Sequence, residues 1–124
     1  MGRQTRGVWA RSYERAGRLV PPDARLLRSR SVVLRVGERV DWHTTGDREE
    51  LLIGVHGRVD VEVRSPAVMA IRDADSVPCR RIALDAGRCL FLPCETWHRV
   101  VNRSGCRVHY LYVTTRTPSH RGLR

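Results

Sequence analysis

Two histidines and a glutamate are residues of this sequence whose side chains could hold a metal ion. His43 is followed seven residues later by Glu50, which opens the apolar run at residues 51–55, and His98 follows a second apolar run. A carboxylate at the start of a buried strand is costly unless it faces water or meets a cation. Two neutral imidazoles and one carboxylate around a divalent ion would offset that charge and leave coordination positions open for water, oxygen or substrate.

Each of the three residues also has an ordinary explanation. His43 would suit an exposed loop, Glu50 would be a solvated charge beside Glu49, and His98 would be a hydrogen-bonded strand residue. Taken singly, each ordinary explanation is the simpler one. Taken together, an inward carboxylate and two imidazoles would be satisfied by a shared metal ion.

Alternation along the strand that contains Glu50 predicts which of its side chains face inward. Successive side chains of a strand point to opposite faces, so Glu50 shares a face with Leu52 and His56. If Leu52 is buried, Glu50 is directed inward as well. His56 would then line the same cavity, unless it caps the turn at Gly57.

Short apolar runs separated by turn residues fill the sequence from Ser31 onward. Their close spacing is typical of an antiparallel sandwich or barrel rather than of βαβ units. We therefore predict an all-β fold. The expected strands are residues 31–36, 50–57, 58–63, 80–84, 88–93, 98–102 and 106–115.

One of these strands has a clear period of two. Val59, Val61 and Val63 alternate with Asp60 and Glu62. This pattern predicts one dry face and one face exposed to water.

Two stretches are less regular. Residues 65–78 have Pro66 near one end and Pro78 at the other, and their apolar residues follow no clear period. This pattern indicates an irregular excursion or a ragged hairpin. Residues 8–18 could form a short helix, which the Pro21–Pro22 pair would end.

The positive charge of the chain is concentrated at its two ends. The 124 residues carry a net charge of +10, and all 23 basic residues are Arg, which excludes a Schiff-base lysine. Residues 1–36 contain nine Arg against Glu14 and Asp23, residues 37–115 are neutral, and residues 116–124 add three Arg. We expect a basic arm at residues 1–24, a folded domain at 25–115 and a basic tail at 116–124. This distribution argues against a nucleic-acid-binding face, although weak attraction to anionic polymers or phosphorylated ligands stays open.

The remaining composition fits a soluble cytoplasmic protein. The opening residues lack the apolar core of a signal peptide, and no stretch approaches the length of a membrane span. The four cysteines match no zinc or redox spacing, and reduced thiols are expected. Cys89, within the run CLFL, is expected to be buried.

Two stretches of the sequence resemble the paired motifs of the small single-domain cupins, the RmlC-like jelly-roll family. The first runs from Gly37 through His43, Thr45 and Glu50 to Gly57. The second runs from Gly87 through Pro93, Glu95 and His98 to Asn102. Both motifs have the family's order and spacing, and together they cover about 80 residues of the strand-rich region.

This sequence departs from the family pattern at two positions. Thr45 replaces a second histidine, and Glu95 replaces a glycine. The resemblance implies His43, Glu50 and His98 as the metal ligands, since Glu49 would break the interval to Gly57. Thr45 would hydrogen-bond a metal-bound water, or it would mark a weakened site.

The resemblance implies an antiparallel jelly-roll cupin β-barrel with a basic, partly irregular N-terminal arm. It also implies a divalent metal ion, which would be Fe, Mn, Ni or Zn, and a homodimer in which residues 25–36 pair with a second subunit. The function would be that of a metal-dependent dioxygenase or isomerase acting on a small polar molecule, such as a carbohydrate-derived or carboxylate compound. The alternative is a small-ligand-binding or regulatory module without turnover.

Other polar residues near the two motifs are weaker candidates. Glu95 would act as a general base or simply be solvated, and Thr45 would line the pocket and assist proton movement. Cys94 and His98 are spaced as a thiol and its base, but no orienting third group is evident. Sequence does not decide whether Trp42 and Trp97 form pocket walls or ordinary packing, or which face of the last strand, with His109, Tyr110 and Tyr112, points inward. Asn102 is expected to tie a loop.

Overall fold

Nine β-strands make up the secondary structure of the part of the chain that the structure describes. The computed structural model describes residues 7–64 and 79–116. No helix occurs within those two ranges. The strands are β1 Gly17–Arg18, β2 Leu27–Leu34, β3 Arg39–Thr44, β4 Arg48–His56, β5 Arg58–Arg64, β6 Arg80–Asp85, β7 Cys89–Leu92, β8 Trp97–Val101 and β9 Val108–Arg116.

The strands pair into two antiparallel sheets. One has five strands in the order β1-β2-β9-β4-β7, and the other has four in the order β3-β8-β5-β6. The apolar inner faces of both sheets share one core, as expected for a jelly roll. The all-β jelly-roll prediction is confirmed, with the difference that the two sheets stay separate instead of closing into a continuous barrel. The core residues are Leu34, Leu52, Val59, Val61, Leu84, Leu92, Val100, Val108 and Tyr110.

Strands β1 and β3 are the elements that the sequence pattern missed. In β3, the partly buried Val40 and Trp42 alternate with the exposed Arg39 and Asp41, but the polar His43 and Thr44 follow, so the apolar pattern is too short to reveal the strand. Pairing with β8 forms the strand. The predicted excursion at residues 65–78 lies outside the described residues. The basic tail predicted for residues 116–124 also lies outside them, apart from Arg116, which ends β9.

The segment before β2 is held by the sheet rather than by helical structure. The short helix considered for residues 8–18 is wrong. Instead β1 pairs with β2, the amide of Leu19 donates to the carbonyl of Ser29 at 2.8 Å, and the Ser31 hydroxyl donates to the carbonyl of Tyr13 at 2.8 Å. Tertiary pairing overrides the weak helix propensity of this stretch. Because β1 takes the outer edge of β2 at Arg30 and Ser31, that edge is not free along its whole length.

Asn102 ties the turn after β8 to the end of β2, as the sequence suggested. Its side-chain amide donates to the carbonyls of Leu34, Arg35 and Cys106 at 3.1, 3.0 and 2.9 Å, and its carbonyl oxygen accepts from Ser104. The side chain is fully buried with both ends hydrogen-bonded.

The four cysteines are free and exposed. The expectation that Cys89 is buried is wrong, because alternation along β7 turns Leu90 and Leu92 inward and leaves Cys89 and Phe91 outward. No helix in the two described ranges has the length and apolar character needed to cross a membrane.

The outer face of β5 is buried at Glu62 and Arg64, contrary to the predicted wet face, whereas Arg58 is exposed and Asp60 is half-buried. Glu62 is only 1% exposed because arginines from neighbouring strands cover it. Arg99 hydrogen-bonds its carboxylate, Arg103 lies 2.9 Å and Arg81 3.3 Å away. Burial alone would raise the pKa of Glu62, but the hydrogen bonds and charges of Arg99 and Arg103 outweigh burial and lower that pKa.

Replacing Glu62 should therefore make stability less dependent on acid pH. A lowered pKa in the folded state means that ionised Glu62 stabilises the fold above its unfolded pKa, and that this contribution is lost as pH falls through the folded value. Glu62→Gln should lower the free energy of unfolding by about 2 kcal/mol near neutral pH. The difference from the unmodified chain should shrink on acidification, as measured by urea unfolding at several pH values.

Glu49→Gln is the matched control, because Glu49 is exposed on β4. It should change stability by less than about 0.5 kcal/mol. A constant difference between Glu62→Gln and the unmodified chain across pH would contradict this account of the arginine cluster.

Candidate metal and ligand site

The three predicted ligands come together at one end of the space between the sheets. His43 of β3 and His98 of β8 are paired in register, and Glu50 lies on β4 of the facing sheet. All three line a cavity of about 260 Å³. The parity argument holds, because Leu52 is buried and Glu50 is directed to the same side.

His98 has one ring nitrogen anchored and the other without a partner. The side chain is fully buried, and Nδ1 lies 3.1 Å from the carbonyl of Thr96. Because a carbonyl only accepts, Nδ1 must carry the hydrogen, so in the neutral ring Nε2 presents a lone pair. Nε2 is buried without a hydrogen-bond partner and lies 3.7 Å from Oε2 of Glu50.

His43 is oriented in the same way as His98. Its Nδ1 lies 2.7 Å from the carbonyl of Asp41, so in the neutral ring Nε2 again presents the lone pair. The centroids of the His43 and His98 rings are 4.2 Å apart. Backbone carbonyls that hold Nδ1 of metal-ligating imidazoles are common in proteins.

The distances fit a pair of ligands better than a finished three-ligand centre. Two atoms each about 2.1 Å from one ion can be at most about 4.2 Å apart, so the separation of His98 Nε2 from Glu50 Oε2 is compatible with a shared ion. Within residues 7–64 and 79–116, however, no three His, Cys, Asp or Glu side chains stand close enough to form a complete metal site. His43 is the side chain that would have to approach.

Thr45 lines the cavity, but its hydroxyl is committed elsewhere. It donates to the carbonyl of Pro93 at 2.7 Å and accepts from the amide of Thr96 at 3.0 Å. This buried threonine ties the turn after β3 to the turn before β8. Its only hydroxyl hydrogen is already used, so Thr45 joins the two loops instead of donating to a ligand or water.

Two other predicted site residues lie away from the cavity. Glu95 is exposed in the turn before β8 and is not among the cavity-lining residues, so the role of general base is not supported. His56 is exposed at the end of β4, where the pairing with β9 shifts register between Gly54 and His56 and interrupts the alternation. Cys94 is exposed as well, and no described contact joins it to His98.

The aromatic candidates are divided between the two faces. Tyr110 and Tyr112 line the cavity, whereas His109 lies on the opposite face of β9, where it is buried and contacts the Ser31 hydroxyl at 2.5 Å. Trp42 is not part of the cavity wall, since it packs beneath the guanidinium of Arg64 at 3.7 Å from the ring centroid. Burial and the charge of Glu50 raise the pKa of Tyr110, so its phenol stays protonated and can donate.

Two arginines of the cavity were missed from sequence. Arg28 and Arg48 both line it, and Arg48 is largely buried, with Nη1 donating to Thr114 Oγ1 at 3.2 Å and to the carbonyl of Leu26 at 3.3 Å. Burial and the neighbouring charge of Arg28 lower the pKa of Arg48. Arg48 shares the parity of Glu50, so alternation along β4 could have identified it.

The two facing sheets with a polar cavity at one end define the cupin fold. The cupin domain of Schizosaccharomyces pombe Cnp3 matches 82% of this chain and 60% of its own, at 10% identity and a TM-score of 0.64. A Cupin 2 conserved barrel domain protein from Salinispora arenicola CNS-205 matches over 82% and 74%, at 22% identity and a TM-score of 0.62. A structure of oxalate oxidase matches over 73% and 42%, at 12% identity and a TM-score of 0.59.

These similarities establish the fold alone. No family model matches the sequence, and a search of curated proteins gives no match. The chain spans less than two thirds of the Cnp3 domain and of oxalate oxidase.

Glu95 occupies a backbone conformation that favours glycine, the residue expected at this position from the cupin motif. Its φ is +56°, and its amide donates to the carbonyl of Gly46 at 2.8 Å. A non-glycine residue in the left-handed region costs about 1–2 kcal/mol. Glycine avoids this cost, but its greater freedom in the unfolded chain cancels part of the gain in stability. Glu95→Gly should therefore raise the free energy of unfolding by about 0.5–1 kcal/mol in denaturant titration.

Cys94→Gly tests whether this gain is specific. Cys94 is exposed in the same turn without a positive φ, so its replacement by glycine should lower stability by about 0.5–1 kcal/mol. Equal losses in both variants would contradict the conformational explanation for Glu95.

Proposed function

We propose that this protein is a metal-binding cupin that acts enzymatically on a small organic anion. His98 and Glu50 would hold a divalent ion, and His43 would complete the set by moving toward it. When bound, such an ion supplies a Lewis acid that polarises a substrate oxygen. Iron, manganese, nickel and zinc are all compatible with two imidazoles and one carboxylate.

The observation that carries the proposal is the unpartnered Nε2 of His98. A buried polar nitrogen without a hydrogen bond costs about 1–3 kcal/mol. This nitrogen is buried, its lone pair is fixed by the bond from Nδ1 to Thr96, and a carboxylate lies 3.7 Å away. A cation between Nε2 and Glu50 would satisfy both groups.

The charge of the cavity supports an anionic substrate. Arg28 and Arg48 contribute two positive charges to its wall, against one carboxylate from Glu50. Arg48 is held by Thr114 and the Leu26 carbonyl, so its position is fixed before a ligand arrives. Guanidinium groups bind carboxylates and phosphates through paired hydrogen bonds.

The remaining wall residues would orient the substrate and limit water. The protonated phenol of Tyr110 would donate to a substrate oxygen, and Val32, Val40 and Val100 form an apolar wall beside it. Oxalate oxidase, which has this fold, is named for a small dicarboxylate, and this agrees with a small anion as ligand.

A ligand-binding or regulatory module without turnover is the second candidate. Two observations favour it. The described side chains form no complete three-ligand group, and Thr45, at the position of the usual second histidine, is committed to the backbone of Pro93 and Thr96.

Elemental analysis of the purified protein separates the two candidates. The unmodified chain should contain about one equivalent of a divalent metal, and His98→Ala should lose it, because two or three ligands must act together to hold an ion. Glu50→Gln, which keeps the shape of the side chain, should also lose the metal and guards against misfolding of the His98 variant.

His56→Ala is the matched control, since His56 is exposed outside the cavity. It should retain the metal of the unmodified chain. Equal trace amounts in all four proteins would contradict metal binding and favour the ligand-binding module. Removal of the metal with a chelator should lower the thermal unfolding midpoint of the unmodified chain and leave that of His98→Ala unchanged.

We also propose a homodimer formed through the segment at residues 25–36. Within it Leu26 and Val36 are 65% and 60% exposed, which is unusual for large apolar side chains. Analytical ultracentrifugation should give a dimer that Val36→Glu weakens and that Phe91→Glu, an exposed position on β7, leaves intact. A monomeric unmodified chain, or a dimer broken only by Phe91→Glu, would overturn this assignment.

A further inference from the structure

A second cavity adjoins the candidate metal site. Its volume is about 370 Å³, and it lies between the inner face of β1 and β2 and the loop at residues 20–24. Arg18, Arg28 and Arg30 line it together with Tyr112. Arg28 and Tyr112 also line the smaller cavity that contains His43, Glu50 and His98, so the two spaces share a wall.

The register of the five-stranded sheet explains why the arginines converge. Arg18 is paired with Arg30, and Arg30 with Tyr112, so these three side chains form one row across three strands on the same face. In the next row Arg28 is paired with Thr114, and Thr114 with Glu50. One step along the sheet therefore leads from the arginine cavity to the candidate metal ligand.

The three guanidinium groups lack acidic partners. Among the described residues, none of Arg18, Arg28 and Arg30 forms an ion pair. Arg18, Arg28, Arg30 and Tyr112 all line this one cavity. Burial and the charge of Glu50 raise the pKa of the Tyr112 phenol, while the charges of Arg30, Arg28 and Arg18 oppose that rise. The three side chains are exposed, so water screens their mutual repulsion, and a bound anion would lower it further.

We propose that the arginine cavity binds the phosphate group of a phosphorylated small molecule whose other end reaches the candidate metal site. Three guanidinium groups and a phenol suit a phosphate dianion with several acceptor oxygens better than a single carboxylate. The concave shape, closed on one side by Val20, Pro21, Pro22 and Ala24, favours a small ligand over a nucleic-acid strand, which would need an open groove. The part of this proposal in which the other end of the ligand reaches a metal ion rests on the proposed function.

Inorganic phosphate, titrated into the full-length protein after metal removal with a chelator, tests the arginine cavity by itself. Phosphate should bind, as measured by calorimetry, and raise the thermal unfolding midpoint at constant ionic strength relative to chloride. Arg30→Gln and Arg18→Gln should each weaken phosphate binding about tenfold, as expected for loss of a hydrogen bond to a charged group. Their metal content should stay that of the unmodified chain.

Arg88→Gln is the matched control for net charge, because Arg88 is exposed in the turn between β6 and β7. It should bind phosphate as the unmodified chain does. Equal weakening by Arg88→Gln and Arg30→Gln, or no binding of phosphate by the unmodified chain, would overturn the proposal. So would tighter binding of acetate than of phosphate, or binding of a short single-stranded oligonucleotide without any binding of phosphate.

The phosphate measurement and the metal measurement fail separately. Phosphate binding without metal in the unmodified chain would retain the arginine site and remove the metal-dependent function. Metal binding without phosphate binding would retain the metal-dependent function and remove the arginine site.

Discussion

The burial of a partnerless imidazole nitrogen is the constraint around which the polar end of this fold is organised. His98 is enclosed on β8, its other nitrogen is taken by the Thr96 carbonyl, and the facing sheet presents Glu50 to it. A folded chain keeps such an arrangement only when rigid neighbours impose it. Here they do, because β3 and β8 are paired at His43 and His98, and Thr45 fastens the loops at their ends.

One end of the inner face of the five-stranded sheet packs in the apolar core, and the other end lines the cavities. At one end Leu34 is opposite Val108, and Val32 is opposite Tyr110, within or beside the apolar core. Two rows further along, Arg28 is opposite Thr114, and the surface has become charged. A single strand, β2, therefore supplies both core packing and cations without any change in its alternation.

Alternation and motif spacing predicted the fold class, the strands of both motifs except β3, and the inward direction of Glu50. They could not predict what covers a given face. Glu62 was expected to be solvated, yet arginines from adjacent strands enclose it, and strand pairing is not visible in a local pattern. The register shift near His56 and the cross-strand row that joins Arg18 to Arg30 likewise depend on which strands become neighbours. Arg48, by contrast, has the parity of Glu50 and was available to the same reasoning.

The loop at residues 20–24 lies in the wall of the arginine cavity and outside the apolar core. It connects β1 to β2, and Val20, Pro21, Pro22 and Ala24 form part of the wall of the arginine cavity. Substitutions or length changes in that loop would alter the shape of the entrance while leaving both sheets and their core untouched. A segment outside the strands and the apolar core would thus help to set which ligands the cavity admits.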